Sequence, residues 1–413
     1  MQYKSFFKSE LKNLKEQGLY RDFRNIDRPI KSFPNADESF KNKEREVEVW
    51  CSNDYLNMSH NKEVINRMIQ VIKEVGTGSG GTRNISGTTP YHDQLEKKLA
   101  NFHERDAALI FTSAYVANQT TLATLCKKIP NIEVFSDQLN HASLIEGIKN
   151  SKAPCSIFRH NDLKHLESLL SKKDLNQPKI IVFESLYSMD GTETNISDYV
   201  KLAKKYNALT YLDEVHAVGL YGKGGRGVAY KNNVSDQIDI INGTLAKGFG
   251  QIGGYIVANQ TTIDFIRSFA PGFIFTTSMM PSIAAAASKS IEIVENLDEE
   301  RVDIFNKAKY FRQKLNLLDI PFIDSNSHII PILTHSTKKA KLFSKLLLQQ
   351  YNSYIQPIFY PTVPEGSARL RITVTPKHSI QDIDNLLAAL NRLFDNEKSV
   401  QHMNTATRQN QVA

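Results

Sequence analysis

Short apolar runs that each end in a polar or glycine-rich stretch limit most strongly how this chain can fold. They occupy residues 107–111, 134–135, 180–183, 208–212 and 238–241. Helical patterns separate the runs, which indicates right-handed βαβ units and a mostly parallel central sheet. Sheets of this kind bind ligands at the carboxyl ends of their strands. The sequence therefore predicts an α/β protein whose functional residues follow these runs.

A lysine among glycines follows the last of the runs. Lys247 lies in the stretch Asn-Gly-Thr-Leu-Ala-Lys-Gly-Phe-Gly at residues 242–250. Burial would lower the pKa of such a lysine, because desolvation disfavours the ammonium form, and a neutral amine can attack a carbonyl carbon. The alternative is a loop lysine in water. The stretch is not a Walker phosphate loop, because Gly-x-x-x-x-Gly-Lys-Ser/Thr cannot be laid over it.

A carboxylate stands at the end of the run before it. Asp213 follows residues 208–212 directly, and His216 comes three residues later. An acid followed by a lysine-bearing loop suits pyridoxal phosphate (PLP), which needs a carboxylate on its ring nitrogen and a lysine on its aldehyde. A magnesium ligand is the alternative for Asp213, but no phosphate loop accompanies it.

Two further strand ends carry polar residues. Ser113, Ala114 and Tyr115 follow residues 107–111 and open a helix, so free backbone amides and the helix dipole predict an anion site for the cofactor phosphate, helped by Thr244. His141 follows residues 134–135. A single histidine is more often structural than catalytic, but its recurrence at the same sheet edge favours a functional role.

Composition excludes several classes of protein. The 413 residues are 41% hydrophobic, which suffices for a large core and two domains. The sequence contains no run of about 18 apolar residues, so it predicts no membrane span. The net charge of +7 is spread along the chain beside 44 acidic residues, which argues against nucleic-acid binding. Three cysteines at unrelated spacings predict neither disulfides nor a metal site. With no signal or transit peptide recognised, we expect a bacterial cytoplasmic protein.

Four segments are predicted along the chain. An N-terminal helix and arm cover residues 1–46, and a large PLP-binding domain covers residues 47–290. A smaller α+β C-terminal domain covers residues 291–397, and the polar, aperiodic residues 398–413 are predicted to be disordered. The final helix is expected to start at Ser379, with Asp382 placed as in a capping box.

Four motifs in order carry a family resemblance. They are Gly-Gly-Thr-Arg-Asn-Ile-Ser-Gly-Thr at 80–88, Asn-His-Ala-Ser at 140–143, Asp-Glu-Val-His-Ala at 213–217 and Gly-Thr-Leu-Ala-Lys at 243–247. Together they resemble the α-oxoamine synthases, PLP enzymes of aminotransferase fold type I, from about residue 21 to about residue 394. Ala246 departs from the glycine that relatives often have before the lysine. The sequences at residues 82–86, 273–278 and 360–364 are similar to those of the family members that join glycine to succinyl-CoA.

The resemblance implies roles for individual residues. Lys247 would form a Schiff base with the cofactor and remove a Cα proton, and Asp213 would keep the ring nitrogen protonated. His141 would stack on the ring, and His216 would bond its phenolate oxygen; Lys247, His141 and Asp213 are the implied catalytic residues. The other implied cofactor contacts are Ser113, Ala114, Tyr115, Ser188 and Thr244, with Thr276 and Thr277 reaching the phosphate of the neighbouring subunit in a homodimer. The implied substrate contacts are Arg21, Asn53, Thr82, Asn84, Ser136, Thr362 and Arg371, of which Arg371 would grip the glycine carboxylate and Arg21 and Asn84 the succinyl carboxylate.

Three interpretations stay open from the sequence. The first is condensation of glycine with succinyl-CoA to a five-carbon amino acid, CoA and carbon dioxide. The second is a sibling enzyme with another amino acid or acyl chain. The third is a non-enzymatic subunit with the same fold, against which Lys247, Asp213 and both histidines argue.

Overall fold

The protein is described by a computed structural model that covers residues 3–410, with side chains described as far as residue 396. The chain divides into two compact units. The larger unit comprises residues 53–188 and 192–302. The smaller unit comprises residues 1–52, 189–191 and 303–413.

A seven-stranded sheet forms the centre of the larger unit. In spatial order its strands are Ala107–Phe111, Gly254–Ala258, Ile240–Thr244, Ala208–Asp213, Lys179–Glu184, Glu133–Asp137 and Cys155–Phe158. Gly254–Ala258 runs antiparallel to both of its neighbours, and all other pairs are parallel. The predicted mostly parallel sheet is therefore confirmed, and the carboxyl ends of six strands share one edge.

One strand extends further than the sequence suggested. The apolar run at 238–241 was expected to end before Asn242, but the strand is Ile240–Thr244. The extension comes from antiparallel pairing, in which Asn242 faces Ile256 and Thr244 faces Gly254. The end of a strand depends on its pairing partners, which can be far away in the sequence. The apolar pattern alone therefore placed the end of this strand too early.

Helices cover the sheet of the larger unit. They are Lys62–Val75, Pro90–Phe102, Ala114–Lys128, Ala142–Ser151, Leu163–Leu170, Ile196–Lys205, Val228–Lys231, Gln260–Phe269, Pro271–Ile274 and Pro281–Val294, with 3-10 turns at Met58–His60, Lys223–Gly225 and Ser235–Gln237. Helix Ala114–Lys128 packs on the sheet through buried apolar side chains such as Leu122 and Leu125, which join Ile180, Val182 and Ile256 in one core cluster.

Gly254 lets this helix begin against the sheet. A Cβ atom built on Gly254 would lie 2.1 Å from the amide nitrogen of Ala114. No side chain fits into that gap. The first turn of the helix therefore lies directly beside the strand ends where we predicted the phosphate site.

The smaller unit contains two sheets. One holds Asn25–Asp27, Asn35–Phe40, Lys43–Val49 and Ser353–Tyr354, and the other holds Ile329–His335, Ala368–Thr373 and Pro357–Ile358. Its helices are Tyr3–Glu16, Thr337–Tyr351, Ile380–Asn410 and, from Asp303 on, the helix Asp298–Leu317.

The smaller unit joins the two ends of the chain, which differs from the predicted division at 46/47 and 290/291. Ser353–Tyr354 pairs in parallel with the end of Lys43–Val49. Leu348 packs with Phe33 and Val47 in a small apolar cluster. Pairing between residues about 300 positions apart leaves no local signal in the sequence, so the N-terminal arm was assigned to a segment of its own.

The final helix begins as predicted. Ser379 and Asp382 form the capping box, with the Ser379 amide donating to Asp382 Oδ2 at 2.7 Å and the Asp382 amide donating to Ser379 Oγ at 3.1 Å. The helical backbone continues to Asn410, which differs from the predicted disorder of residues 398–413; residues 411–413 lie outside the described part. Each residue added to an existing helix gains one hydrogen bond, so a helix can extend into a polar segment. The polarity of residues 398–410 therefore did not reveal that they continue the helix. Among the described residues no helix is both long and apolar enough to cross a bilayer.

Candidate active site

A cavity of about 220 Å³ lies in the larger unit at the shared carboxyl edge of its sheet. It is lined by Ser113, Ala114, Tyr115, Asn118, His141, Ser143, Glu184, Asp213, Val215, His216, Thr244 and Lys247. The structure thus brings the predicted lysine, carboxylate, two histidines and helix start onto one cavity.

The fold explains why these side chains converge. Glu184, Asp213 and Thr244 are the last residues of three neighbouring parallel strands. Ser113 and His141 are the N-caps of helices that follow two other strands. Because all five strands point the same way, their ends deliver these residues to one edge.

The start of helix Ala114–Lys128 forms an anion site. Ser113 Oγ accepts the Val116 amide at 3.2 Å, which caps the helix. The first amides of a helix have no carbonyl partner within it, so those of Ala114 and Tyr115 are available to a ligand. Thr244 lines the same cavity, where its Oγ1 donates to the Gly253 carbonyl at 3.1 Å and accepts the Ala246 amide at 3.1 Å.

Both carboxylate oxygens of Asp213 are held by donors. Oδ2 accepts Asn118 Nδ2 at 2.6 Å, and Oδ1 accepts the Val215 amide at 2.8 Å. Asp213 is only 4% exposed. Burial of a carboxylate costs free energy unless the group is hydrogen-bonded. These two bonds therefore stabilise the buried Asp213 side chain and fix its orientation.

His141 faces the cavity beside a buried acid. Its backbone amide donates to Glu184 Oε1 at 2.6 Å, and its Nδ1 lies 3.3 Å from the Ser143 amide, which donates to it. Desolvation lowers the pKa of His141, Asp213 opposes this shift, and Lys247 adds to it. Burial, and then the charge of Asp213, raise the pKa of Glu184 well above its usual range.

His216 belongs to a second chain of hydrogen bonds. Its Nδ1 lies 2.8 Å from the hydroxyl of Tyr55, a fully buried side chain. Tyr55 also donates to Asn53 Oδ1 at 3.2 Å. The ring of His216 is therefore oriented through Tyr55, and the predicted substrate residue Asn53 is tied to the same group.

Other predicted residues of the larger unit do not line this cavity. Ser188 is 9% exposed and is absent from the lining. Thr82 pairs with Thr277 through an isolated bridge and donates to Asn84 Oδ1 at 2.6 Å. Thr276 and Thr277 line a separate small cavity beside Arg83. Their cofactor and substrate roles stay predictions.

Ser136 lies inside a strand rather than on the cavity. It is 4% exposed, its Oγ accepts Asn140 Nδ2 at 2.9 Å, and it donates to the Asp137 carbonyl at 3.3 Å. Its substrate contact also stays a prediction.

Three predicted substrate residues belong to the smaller unit. Arg21 donates from Nη2 to Thr362 Oγ1 at 3.0 Å, and both line a pocket of about 300 Å³ in that unit. Arg371 is buried in the strand Ala368–Thr373. Arg21 and Thr362 are thus in contact, and the substrate roles of all three residues stay predictions.

The sequence pattern missed Asn118, Glu184, Ser143, Val215 and Tyr55 as site residues. Asn118 lies one helical turn beyond Ala114, so its spacing from the helix start was a usable signal. Ser143 and Val215 stand inside motifs that were recognised, but without a role. Only the fold shows that Tyr55 lies against His216.

A family model described as aminotransferase class I and II matches residues 45–390. The chain belongs to this family. It is 48% identical to a 5-aminolevulinate synthase from Rickettsia conorii, over 100% of this chain and 99% of that one. It is 49% identical to a 5-aminolevulinate synthase from Rhizobium meliloti, over 95% of this chain and 98% of that one. The resemblance stated from the motifs is thereby confirmed.

Solved structures of other enzymes share the fold. A serine palmitoyltransferase from S. paucimobilis with bound PLP–myriocin aldimine superposes with a TM-score of 0.86 at 26% identity, over 94% of this chain and 96% of that one. An 8-amino-7-oxononanoate synthase from Francisella tularensis gives a TM-score of 0.74 at 24% identity, over 85% of this chain and 99% of that one. The predicted fold type is therefore confirmed.

The residues on the cavity fit pyridoxal phosphate. The free amides at the helix start suit a phosphate dianion, the doubly held Asp213 suits a protonated ring nitrogen, and Lys247 supplies the amine for the aldehyde. The residues that the structure describes include no group of His, Cys, Asp and Glu that could hold a metal ion.

We predict that Ser113→Ala weakens binding of pyridoxal phosphate to the apoprotein. Loss of an N-cap destabilises a helix by about 1 kcal/mol, and here it also loosens the amides that face the phosphate. Fluorescence titration with the cofactor measures the affinity.

Asn259→Ala is the matched control for this prediction. Asn259 caps helix Gln260–Phe269 by accepting the Thr262 amide at 2.8 Å, but it follows the antiparallel strand and so lies at the opposite edge of the sheet. We expect a similar loss of stability without loss of cofactor affinity. Equal affinities of the two variants would remove the helix start from the phosphate site.

Proposed function

We propose that this chain condenses glycine with succinyl-CoA to give 5-aminolevulinate, CoA and carbon dioxide. The observation that carries the proposal is the single cavity lined by Lys247, Asp213, His141 and the start of helix Ala114–Lys128. Full-length relatives named 5-aminolevulinate synthase at 48% and 49% identity specify the substrates. The enzyme is then a PLP-dependent acyltransferase of tetrapyrrole synthesis.

The cavity residues divide the work of the reaction. Bound pyridoxal phosphate supplies an electron sink for negative charge at the glycine Cα atom. Lys247 would hold the cofactor through its aldehyde and, as the free amine, would remove the Cα proton. Asp213 would accept a hydrogen bond from the ring nitrogen and so favour its protonated form. The amides of Ala114 and Tyr115 would bind the phosphate.

Two histidines that line the cavity would hold the cofactor ring. In this proposal His141 would pack on the ring, and His216 would donate a hydrogen bond to its phenolic oxygen. Tyr55 orients His216 at 2.8 Å, so the ring contact is fixed by a fully buried group. Ser188 is a further proposed contact of the cofactor.

The acyl carboxylate is assigned to Arg21 and Thr362, together with Asn84. The guanidinium carbon of Arg21 lies 5.3 Å from the centroid of the Phe359 ring while Nη2 bonds Thr362. Stacking and hydrogen bonding hold the side chain in place before a ligand arrives, which lowers the entropy cost of binding. A planar guanidinium also matches a carboxylate better than an ammonium does.

The remaining substrate contacts are proposed from the family resemblance. Arg371 would bind the glycine carboxylate, and Asn53, Thr82 and Ser136 would line the substrate path. Asn53 is supported by its bond with Tyr55, which also contacts His216.

We propose a homodimer as the active form. Thr276 and Thr277 line a small cavity together with Arg83 and do not line the cofactor cavity of their own chain. This placement supports their assignment to the phosphate of the partner subunit. The relatives from Rickettsia conorii and Rhizobium meliloti support a bacterial enzyme, and we propose that it acts in the cytoplasm.

The function is tested by a matrix of amino acids and acyl-CoA esters with the purified protein and its cofactor. We expect 5-aminolevulinate from glycine with succinyl-CoA, and far slower reaction of serine or alanine, or of palmitoyl-CoA. Faster turnover of another pair would assign the chain to a sibling enzyme. No turnover of any pair, in a protein that binds the cofactor, would favour the non-enzymatic interpretation.

We predict that Arg21→Leu lowers kcat/KM for succinyl-CoA relative to butyryl-CoA, which has no terminal carboxylate. Loss of a hydrogen bond to a charged group costs about 1.5–3 kcal/mol, or roughly 10- to 150-fold. The ratio of the two specificity constants is the measurement.

Lys345→Met is the control for this ratio. Lys345 lines the same pocket and is exposed like Arg21, but it makes no hydrogen bond with Thr362. We expect Lys345→Met to leave the ratio near that of the wild type. A ratio that Arg21→Leu does not change would remove Arg21 from the acyl site.

A further inference from the structure

Asn118 makes three hydrogen bonds in the layer beneath the cofactor cavity. Its Nδ2 donates to Asp213 Oδ2 at 2.6 Å and to Ser143 Oγ at 3.0 Å, and its Oδ1 accepts the Tyr211 hydroxyl at 2.9 Å. The side chain is 1% exposed. A carboxylate accepts but does not donate, so the amide nitrogen faces Asp213 and the orientation of the whole amide follows.

Ser143 continues this chain to His141. The Ser143 amide donates to His141 Nδ1 at 3.3 Å, so Nδ1 is an acceptor and carries no hydrogen. Ser143 Oγ lies 2.8 Å from the same Nδ1 and already accepts a bond from Asn118. Because Nδ1 carries no hydrogen, the Ser143 hydroxyl is the donor in this contact, and the bonds run in one direction from Asn118 through Ser143 to His141.

The direction of these bonds decides where His141 carries its proton. A neutral imidazole has one hydrogen, and with Nδ1 occupied as an acceptor that hydrogen is on Nε2. Among the described residues Nε2 has no hydrogen-bond partner, and the His141 side chain lines the cavity. Nε2–H is thus available to a ligand.

We propose that Asn118 and Ser143 are positioning residues that tie Asp213 to His141 and hold His141 as the neutral Nε2–H tautomer, a hydrogen-bond donor to a substrate oxygen. Acid–base work at the glycine Cα atom then belongs to Lys247. The inference rests on the proposed function for the identity of the substrate, but the tautomer is a property of the protein.

Four other side chains face His141. They are Glu184 and Asp213 at strand ends, Lys247 after a third strand, and Tyr115 on the helix, whose ring meets the imidazole edge-on at 6.3 Å between centroids. Burial lowers the pKa of His141, Asp213 opposes this shift, and Lys247 adds to it. The Ser143 hydroxyl favours an unprotonated Nδ1, so its removal raises the pKa of His141 toward the ordinary value.

The first test measures the tautomer in the wild-type holoenzyme. NMR of the imidazole nitrogens with ¹⁵N-labelled histidine distinguishes a pyridine-like Nδ1 from a pyrrole-like one, and a His141→Gln sample assigns the signals. We expect one Nε2–H form of His141. An Nδ1–H form, or a mixture of both, would overturn the inference without any variant.

The second test compares Ser143→Ala and Asn118→Leu with the wild type. For Ser143→Ala we expect the acid limb of the pH profile of kcat/KM to move to higher pH, because more His141 is protonated at a given pH. We expect kcat to fall roughly 10- to 100-fold in Asn118→Leu, which loses a bond to a charged group, and roughly 2- to 10-fold in Ser143→Ala, which loses bonds between neutral groups, with less change in KM for glycine. An unmoved acid limb in Ser143→Ala would contradict the proposed role.

Thr124→Val is the matched control. Thr124 lies on the same helix as Asn118, is 4% exposed, and its hydroxyl has no hydrogen-bond partner among the described residues. It should keep both the tautomer and the pH profile. If the protein formed no 5-aminolevulinate while His141 showed the Nε2–H form, the proposed function would fail and the assignment of the hydrogen bonds would stand.

Discussion

The hydrogen bond between Asn118 and the buried carboxylate of Asp213 is the interaction on which the site depends. A carboxylate without donors is costly in a protein interior, and here one of its two donors comes from a helix and the other from its own strand end. The helix can supply that donor only because it begins directly beside the sheet, where Gly254 leaves room for Ala114. One packing constraint therefore sets the distance between the phosphate end and the ring-nitrogen end of the cavity.

The electrostatics of the cavity follow from the same arrangement. Glu184 and Asp213 end adjacent strands, and their register pairs them directly. Burial, and then the charge of Asp213, raise the pKa of Glu184 well above its usual range. Asp213 and Lys247 line the same cavity. A carboxylate and an amine on one cavity match a cofactor that has a ring nitrogen and an aldehyde carbon.

Much of the site could be predicted because its residues follow local signals. Asp213, Lys247, His141 and Ser113 stand just after apolar runs, and the carboxyl edge of a parallel sheet gathers such positions. Asn118 and Tyr55 could not be placed in this way. Each acts on a residue far away in sequence, and a pattern of local spacing contains no information about which helix face will meet which strand end.

The smaller unit shows the same limit. The pairing of Ser353–Tyr354 with Lys43–Val49 was not visible in the sequence. That pairing joins segments from opposite ends of the chain. The contact of Arg21 with Thr362 is equally long-range, and no local pattern in the sequence indicated it.

The central claim is that Lys247 is the residue that binds the cofactor covalently. Borohydride reduction of the holoenzyme, followed by proteolysis and mass spectrometry of the peptides, measures this directly. The account predicts that the added mass of the reduced cofactor is found on the peptide that contains Lys247, and that Lys247→Ala abolishes it. Modification of a different lysine, or a protein that binds the cofactor but is not modified at Lys247, would contradict the account.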